Sequence, residues 1–487
     1  MSHVENNEQT PILQDLLSSS NEHRNKRIHF LDNLRITLFL LLVAHHAAQE
    51  AVRVRGDIGR LQLVLLSLFS AMNKSCLWST FFLVSGCSTA IALGDHFECT
   101  EPADSRSAAC NQTSVDEDNT HSPLVRSKTV KQVHPDGSYC YHFTRHTLFP
   151  ALRYIIFLQP LLCFCLRPWN NIFESDRDPS RLSGPVLYIL FLSSTVYTHL
   201  IVRFIKKRWS LKTGLSPPVS TNFSREHEDN FPKQFVACGV VVTTLLIIYT
   251  FCSCTTHLPV LDALEPLLIF VQYDTITPDA PLSYIFAYTL GVYLPSIVPV
   301  LTVNSYHLPR LILTKPSYPW LCLAAGLTVS WASMAIAQDL SPPLFEHIRI
   351  VQRYGRQLFP SGGFNAHTVF FVIWHTFNTL FIPFFTFLAF AKSSFMQQPL
   401  PSRRFLGEGF EKRMAIIPYV HMITVLIAVH CFKGLNPIML TCALTWIVGL
   451  LLALPMVLCW PGVGYICRNW LFAMPAMIWD IWSCGQC

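Results

Sequence analysis

Long apolar runs, broken by short polar, charged or proline-rich stretches, dominate the chain. About ten of them are long enough to cross a bilayer core of roughly 30 Å at about 1.5 Å per helical residue. They lie near 34–52, 76–93, 148–166, 185–202, 235–253, 281–302, 318–338, 365–391, 415–432 and 437–459. The run LPVLDALEPLLIFVQ, at 258–272, is too short and too acidic for a span and reads as a re-entrant or lid segment. The pattern predicts an all-α fold: a polytopic transmembrane helical bundle of about ten spans.

Composition agrees. Of 487 residues, 51% are apolar and 14% charged, too few charges to clothe a water-soluble protein of this length. The net charge of +6 does not mark a nucleic-acid binder, because the basic residues are scattered among loops. Their placement sets orientation instead. With the N-terminus cytosolic, segment 203–234 carries Arg203, Lys206, Lys207 and Arg208, whereas 254–280 on the opposite side has no Lys or Arg. The same rule puts the C-terminus in the cytosol, although Arg349, Arg353 and Arg356 in loop 339–364 run against it.

The polar N-terminus, 1–27, has no cleavage signal after the first apolar run, so the first span is expected to be a retained signal-anchor within a membrane domain of 28–460. Hydrophilic stretches 94–142 and 206–233 read as poorly ordered cytosolic insertions, and 461–487 as a C-terminal tail. The 17 Cys sit mostly alone in apolar segments, as small hydrophobes. Cys484 begins a terminal four-residue box, but Gly485 and Gln486 do not suit prenylation. A signal-anchored multipass chain of this kind is expected in the endoplasmic reticulum or another endomembrane.

The first span carries the chemistry. Arg35 and His46 are separated by eleven positions, only about 20° from three whole turns, so they project from one helix face roughly 16 Å apart. Asp32 lies within about 40° of His46, and Glu50 follows it one turn on. His45 points about 80° away. Ionisable groups inside a span face a protein interior or a wet cavity. Arg35 near the cytosolic end suits a phosphate or carboxylate, and His46 suits a general base oriented by Glu50. A topology anchor and a hydrogen-bonded packing histidine would produce the same residues.

Other candidates are weaker. Ser85 precedes Gly86, a pair that in a membrane helix more often admits a neighbouring backbone than supplies a nucleophile. His421, in a nearly uncharged helix, is either a core residue or part of a site. Adjacent His45 and His46 diverge too far to share one ion, and no metal-binding motif is present.

LDNLR followed by HH resembles the first helix of the acyltransferase 3 family of membrane O-acyltransferases, its fungal-type members in particular. MNKSCLWSTFFLVSG, with Asn73, Ser85 and Gly86, resembles the second-helix block. SGPVLYILFL, PLSYIFAYTLGVY and IIPYVHMITVLIAV resemble later blocks, the last a Tyr-x-His helix with Tyr419 and His421. The resemblance spans roughly 28–460. It implies transfer of an acyl group, acetyl among the options, from acyl-CoA as co-substrate to a hydroxyl of a small or lipid-soluble acceptor, with no bound cofactor. The family's helix-1 Arg and His map onto Arg35 and His46. Together with the spacing above, the expected catalytic set is His46, Glu50 and His421, with Asp32, Asn33, Arg35, His45, Asn73, Ser85 and Arg145 on the donor or substrate side. Two departures stand out. His146 and Arg145 occupy the place of a paired Arg, and His375 follows Trp374 where a Glu is usual. A transporter using the same charged face as a solute path, or a scaffold without catalysis, remains open, as does the acceptor, secondary metabolites included.

Overall fold

The computed structural model describes residues 28–54, 60–93, 135–159, 180–213, 239–241, 243–249, 281–303, 315–340, 366–398, 414 and 416–455. Among these the fold is all-helical. Helix α1 is His29–Val54 and α2 is Arg60–Leu93. A helical run over 135–158, α3, joins Pro135–Phe143 and Phe149–Arg153 to π-turns at Thr144–Leu148 and Tyr154–Leu158. Then come α4 (Ser180–Thr213), α5 (Gly239–Tyr249), α6 (Pro281–Val303), α7 (Ser317–Leu340), α8 (Ala366–Lys392), α9 (Ile417–Phe432) and α10 (Ile438–Pro455).

Among the described residues five stretches are long and apolar enough to cross a membrane: His29–Val52, Leu68–Leu93, Tyr188–Trp209, Val372–Lys392 and Ile438–Pro455. Shorter apolar helices include Leu282–Pro295 and Ile417–Phe432. In such segments water cannot serve the hydroxyls, so serines and threonines donate back to their own helix, as Thr80 does to the Cys76 carbonyl at 2.6 Å and Thr386 to Ile382 at 2.7 Å.

The helices outrun the apolar pattern. α1 begins five residues before the expected span, with Asp32 in its first turn, where a carboxylate suits the positive helix end. α2 reaches back to Arg60, sixteen residues before the expected start, because polar positions such as Ser70, Asn73 and Ser75 are buried against other helices rather than exposed in a loop. The two insertions need correction at their edges. Residues from Pro135 on are helical rather than part of a loop ending at 142, and α4 continues through the basic cluster to Thr213. The expected features at 1–27, 254–280, 341–365 and 461–487 lie outside the described residues. The π-turn before Pro150 has a local cause. Proline lacks an N–H and its ring crowds the carbonyl four residues back, which a widened turn moves aside.

Helix α1 lies between two apolar clusters. Leu34, Leu38 and Leu42 join the larger one with α2, α6 and α8, while Ile36, Val43 and Ala47 join a second with α3, α4 and α9. Phe30 meets Phe387 of α8 edge-on at 5.5 Å, and Phe39 meets Phe81 of α2 at 5.2 Å. With Arg35 on Ser88, these contacts make α1 and α2 antiparallel. Gly86 and Gly291 explain the closeness of α2 and α6. A Cβ at Gly86 would overlap the Tyr288 carbonyl, and one at Gly291 the Leu83 carbonyl. The Ser-Gly pair is therefore a crossing point where two backbones touch.

Candidate functional site

At the entrance of α1, Arg35 donates through Nη2 to Ser88 Oγ at 2.6 Å and through Nη1 to Asp32 Oδ1 at 3.3 Å. Ser88 passes its own proton to the Val84 carbonyl at 2.7 Å, which leaves its oxygen free to accept. The Arg35 side chain keeps 38% exposure, so it is braced without being sealed. Beside it Thr89 and Tyr139 share a 2.8 Å hydroxyl contact. Burial raises the Tyr139 phenol above the ordinary tyrosine range, with the Thr89 bond and the Arg35 charge opposing. Tyr139 is thus a neutral hydroxyl beside a guanidinium.

Deeper, α1 meets α9. The imidazoles of His46 and His421 lie with ring centroids 5.1 Å apart and planes at 41°, and His45 sits 5.0 Å from His46. His421 is fully buried. Its Nδ1 lies 2.9 Å from the Ile417 carbonyl, which can only accept, so Nδ1 carries the proton. In the neutral ring the lone pair is then on Nε2, and that atom is buried with no hydrogen-bond partner among the described residues. Glu50 is also buried, one turn beyond His46 on the same face. The Tyr-x-His spacing has a simple role here. Tyr419 turns to α3, its ring tilted at 47° to that of Tyr154 with centroids 5.9 Å apart and its hydroxyl donating to the Thr147 carbonyl at 3.3 Å, while His421 turns to α1.

Not every candidate joins this centre. Asn33 spends both amide hydrogens on the Met396 and Gln398 carbonyls, at 2.6 and 2.9 Å, and so clasps the turn after α8. Ser85 is not placed to attack anything at His46. The Phe39–Phe81 register sets it level with Arg35, roughly 16 Å along the axis from His46. Arg145 is exposed and donates to Tyr141 of its own helix at 3.2 Å, on the side away from Tyr139. Asn73 is buried in α2, and its Nδ2 has no partner among the described residues.

A polar seam that sequence reasoning did not assemble crosses α2, α7 and α8. Ser75 Oγ lies 3.4 Å from His375 Nδ1, Ser330 donates to Asn378 Oδ1 at 2.8 Å, Asn378 Nδ2 to the Trp374 carbonyl at 2.7 Å, and Trp374 Nε1 to the Ser330 carbonyl at 3.1 Å. His375, visible only as a departure from the resembled pattern, is the point where α8 meets Ser75. Nothing in the spacing of Ser330 and Asn378 announces their pairing.

Among the described residues no three His, Cys, Asp or Glu side chains converge as metal ligands. No family model, curated protein or solved structure matches the chain.

Proposed function

We propose that this protein is an acyl-CoA-dependent membrane O-acyltransferase of the acyltransferase 3 type, with about ten spans and both termini cytosolic. The observation that carries the reading is the meeting of His46 with His421. Two histidines that the sequence singles out, on helices at opposite ends of the chain, meet ring to ring, and His421 is fully buried. Arg35, braced and open toward one end of α1, supplies the anchor expected of a phosphate-bearing donor at the cytosolic face.

In this mechanism the donor enters from the cytosol with its phosphates at Arg35, and its thioester extends toward His46. His46 removes the proton of the acceptor hydroxyl, and the oxygen attacks the thioester carbonyl. The carbon–sulfur bond breaks, the acyl group stays on the acceptor, and the CoA thiolate takes the proton back from His46. His421, its tautomer fixed by Ile417, offers Nε2 to the imidazolium or to the reacting hydroxyl. Glu50 adds a carboxylate on the same face. A water-poor setting holds both reactants and limits thioester hydrolysis.

The test is release of CoA thiol from acetyl-CoA in purified membranes, with a metabolite extract as acceptor source. Wild-type protein is expected to release thiol only when extract is present, and His46→Ala protein inserted at equal level is expected to release none. Equal release from both would remove the reading.

A further inference from the structure

The seam between α1, α2 and α8 holds buried polar atoms that the proposed chemistry does not use. Asn73 is 8% exposed and Thr376 3%, and neither Asn73 Nδ2 nor Thr376 Oγ1 has a hydrogen-bond partner among the described residues. A buried donor left unmatched is costly, and such groups in native proteins are matched by a water or a ligand.

Both aim into the same seam. Thr376 is eleven positions from Phe387, so it points within about 20° of the direction in which Phe387 meets Phe30 of α1. Asn73 is turned about 60° from Ser88, the residue that meets Arg35 of α1. The Ser75–His375 contact levels the two helices and leaves Asn73 and Thr376 within about one helical turn of each other along the axis. The Phe39–Phe81 register puts Asn73 level with Ala47 of α1, within about one helical turn of His45. From that helix His45 faces the seam, about 60° round from Phe30 and buried at 4% exposure. The His45 ring touches that of His46.

Resting on the acyltransferase reading, we infer that Asn73, Thr376 and His45 form a second polar subsite, contiguous with His46, which holds the acceptor by an oxygen other than the one that reacts. The substrate class follows from the atoms. Asn73 Nδ2 donates and requires a carbonyl, ether or hydroxyl oxygen. Thr376 either donates or accepts. Beyond His46, His421 Nε2 accepts a hydrogen bond, which the hydroxyl acylated in the proposed reaction would donate. The acceptor is therefore an uncharged, membrane-soluble molecule with at least two separated oxygens, one a free hydroxyl.

The experiment uses full-length protein in detergent and the Asn73→Leu/Thr376→Val variant, with Thr376→Val alone as a near-isosteric second variant. Probes are a hydroxy-ketone steroid, a sesquiterpenoid diol and a monoacylglycerol, each paired with its mono-alcohol counterpart. At least one two-oxygen probe is expected to raise the wild-type melting midpoint more than its mono-alcohol. The variants, melting at or above the wild-type midpoint without probe, should bind that probe about tenfold more weakly. Variants that melt several degrees lower without probe would make the two groups structural and overturn the inference. So would undiminished probe binding, or no probe outperforming its mono-alcohol. Discrimination without acyl transfer would leave the subsite standing and remove the acyltransferase reading. Acyl transfer without discrimination would do the reverse.

Discussion

His421 presents its ring to His46 at 5.1 Å, centroid to centroid, with its Nδ1 proton tied to the Ile417 carbonyl and Nε2 unbonded among the described residues. The tautomer is set by the backbone of α9, and so the direction of the lone pair is fixed before any ligand arrives. If the two rings act as a unit, their loss is not additive. His46→Ala and His421→Phe are each expected to lower acyl transfer by about 10²-fold or more, within the range of general-base catalysis. The double variant should be no worse than the poorer single one. Initial rates of the four proteins in membranes of matched expression check this, and multiplying losses would separate the residues.

Arg35 acts at the other end of the same face. Its guanidinium bridges Ser88 and Asp32 while remaining more than a third exposed, an arrangement that serves a planar fork better than a point charge. Arg35→Ala is expected to raise the KM for acyl-CoA about tenfold, with a smaller change in kcat, and Arg35→Lys to recover only part of it. Substrate titrations at fixed acceptor measure both. An unchanged KM would confine Arg35 to a structural role at the helix start.

At the α2–α6 crossing the backbone itself is the contact. Gly86→Val places carbon where the Tyr288 carbonyl sits, and Gly291→Val does so against Leu83. Each is expected to cost about 1–3 kcal/mol or more through overpacking, seen as a lower melting midpoint and reduced insertion. Ser85→Ala, one position away, should leave stability and acyl transfer near wild type. A Ser85→Ala protein that folds normally and is inactive would restore the nucleophile reading.

The Ser330–Asn378–Trp374 contacts hold α7 to α8 through a closed set of buried bonds. Asn378→Leu strands the Ser330 hydroxyl and is expected to destabilise the protein by about 1–3 kcal/mol. Pairing it with Ser330→Ala, which removes both partners, should recover part of that loss. Thermal melts of the two singles and the double form the cycle, and strict additivity would show that the pair does not interact.

Much of the fold was legible because bilayer physics writes itself plainly into sequence. Uncharged runs located the helices, and eleven-residue spacing placed Arg35 and His46 on one face. Helix ends were not legible. Residues such as Ser70 and Asn73 look like loop positions until a neighbouring helix buries them, and Tyr139 looks like part of a hydrophilic insertion until its hydroxyl meets Thr89. The site was legible one helix at a time. Nothing in the spacing of His46, His421, Asn73 or Thr376 says which helices become neighbours, since apolar helices give little signal of their packing partners. Asn33 illustrates the opposite error. It belongs to the most informative motif in the chain, yet its amide serves two carbonyls of a turn.

The fate of the acyl group itself distinguishes transfer from every other use of these residues. Purified membranes carrying wild-type, His46→Ala or His421→Phe protein are incubated with acetyl-labelled acetyl-CoA and a metabolite extract, and labelled products are resolved by mass spectrometry. A labelled ester is expected with wild-type protein, absent with His46→Ala and strongly reduced with His421→Phe. A labelled ester formed equally by all three proteins would show that neither histidine takes part in acyl transfer.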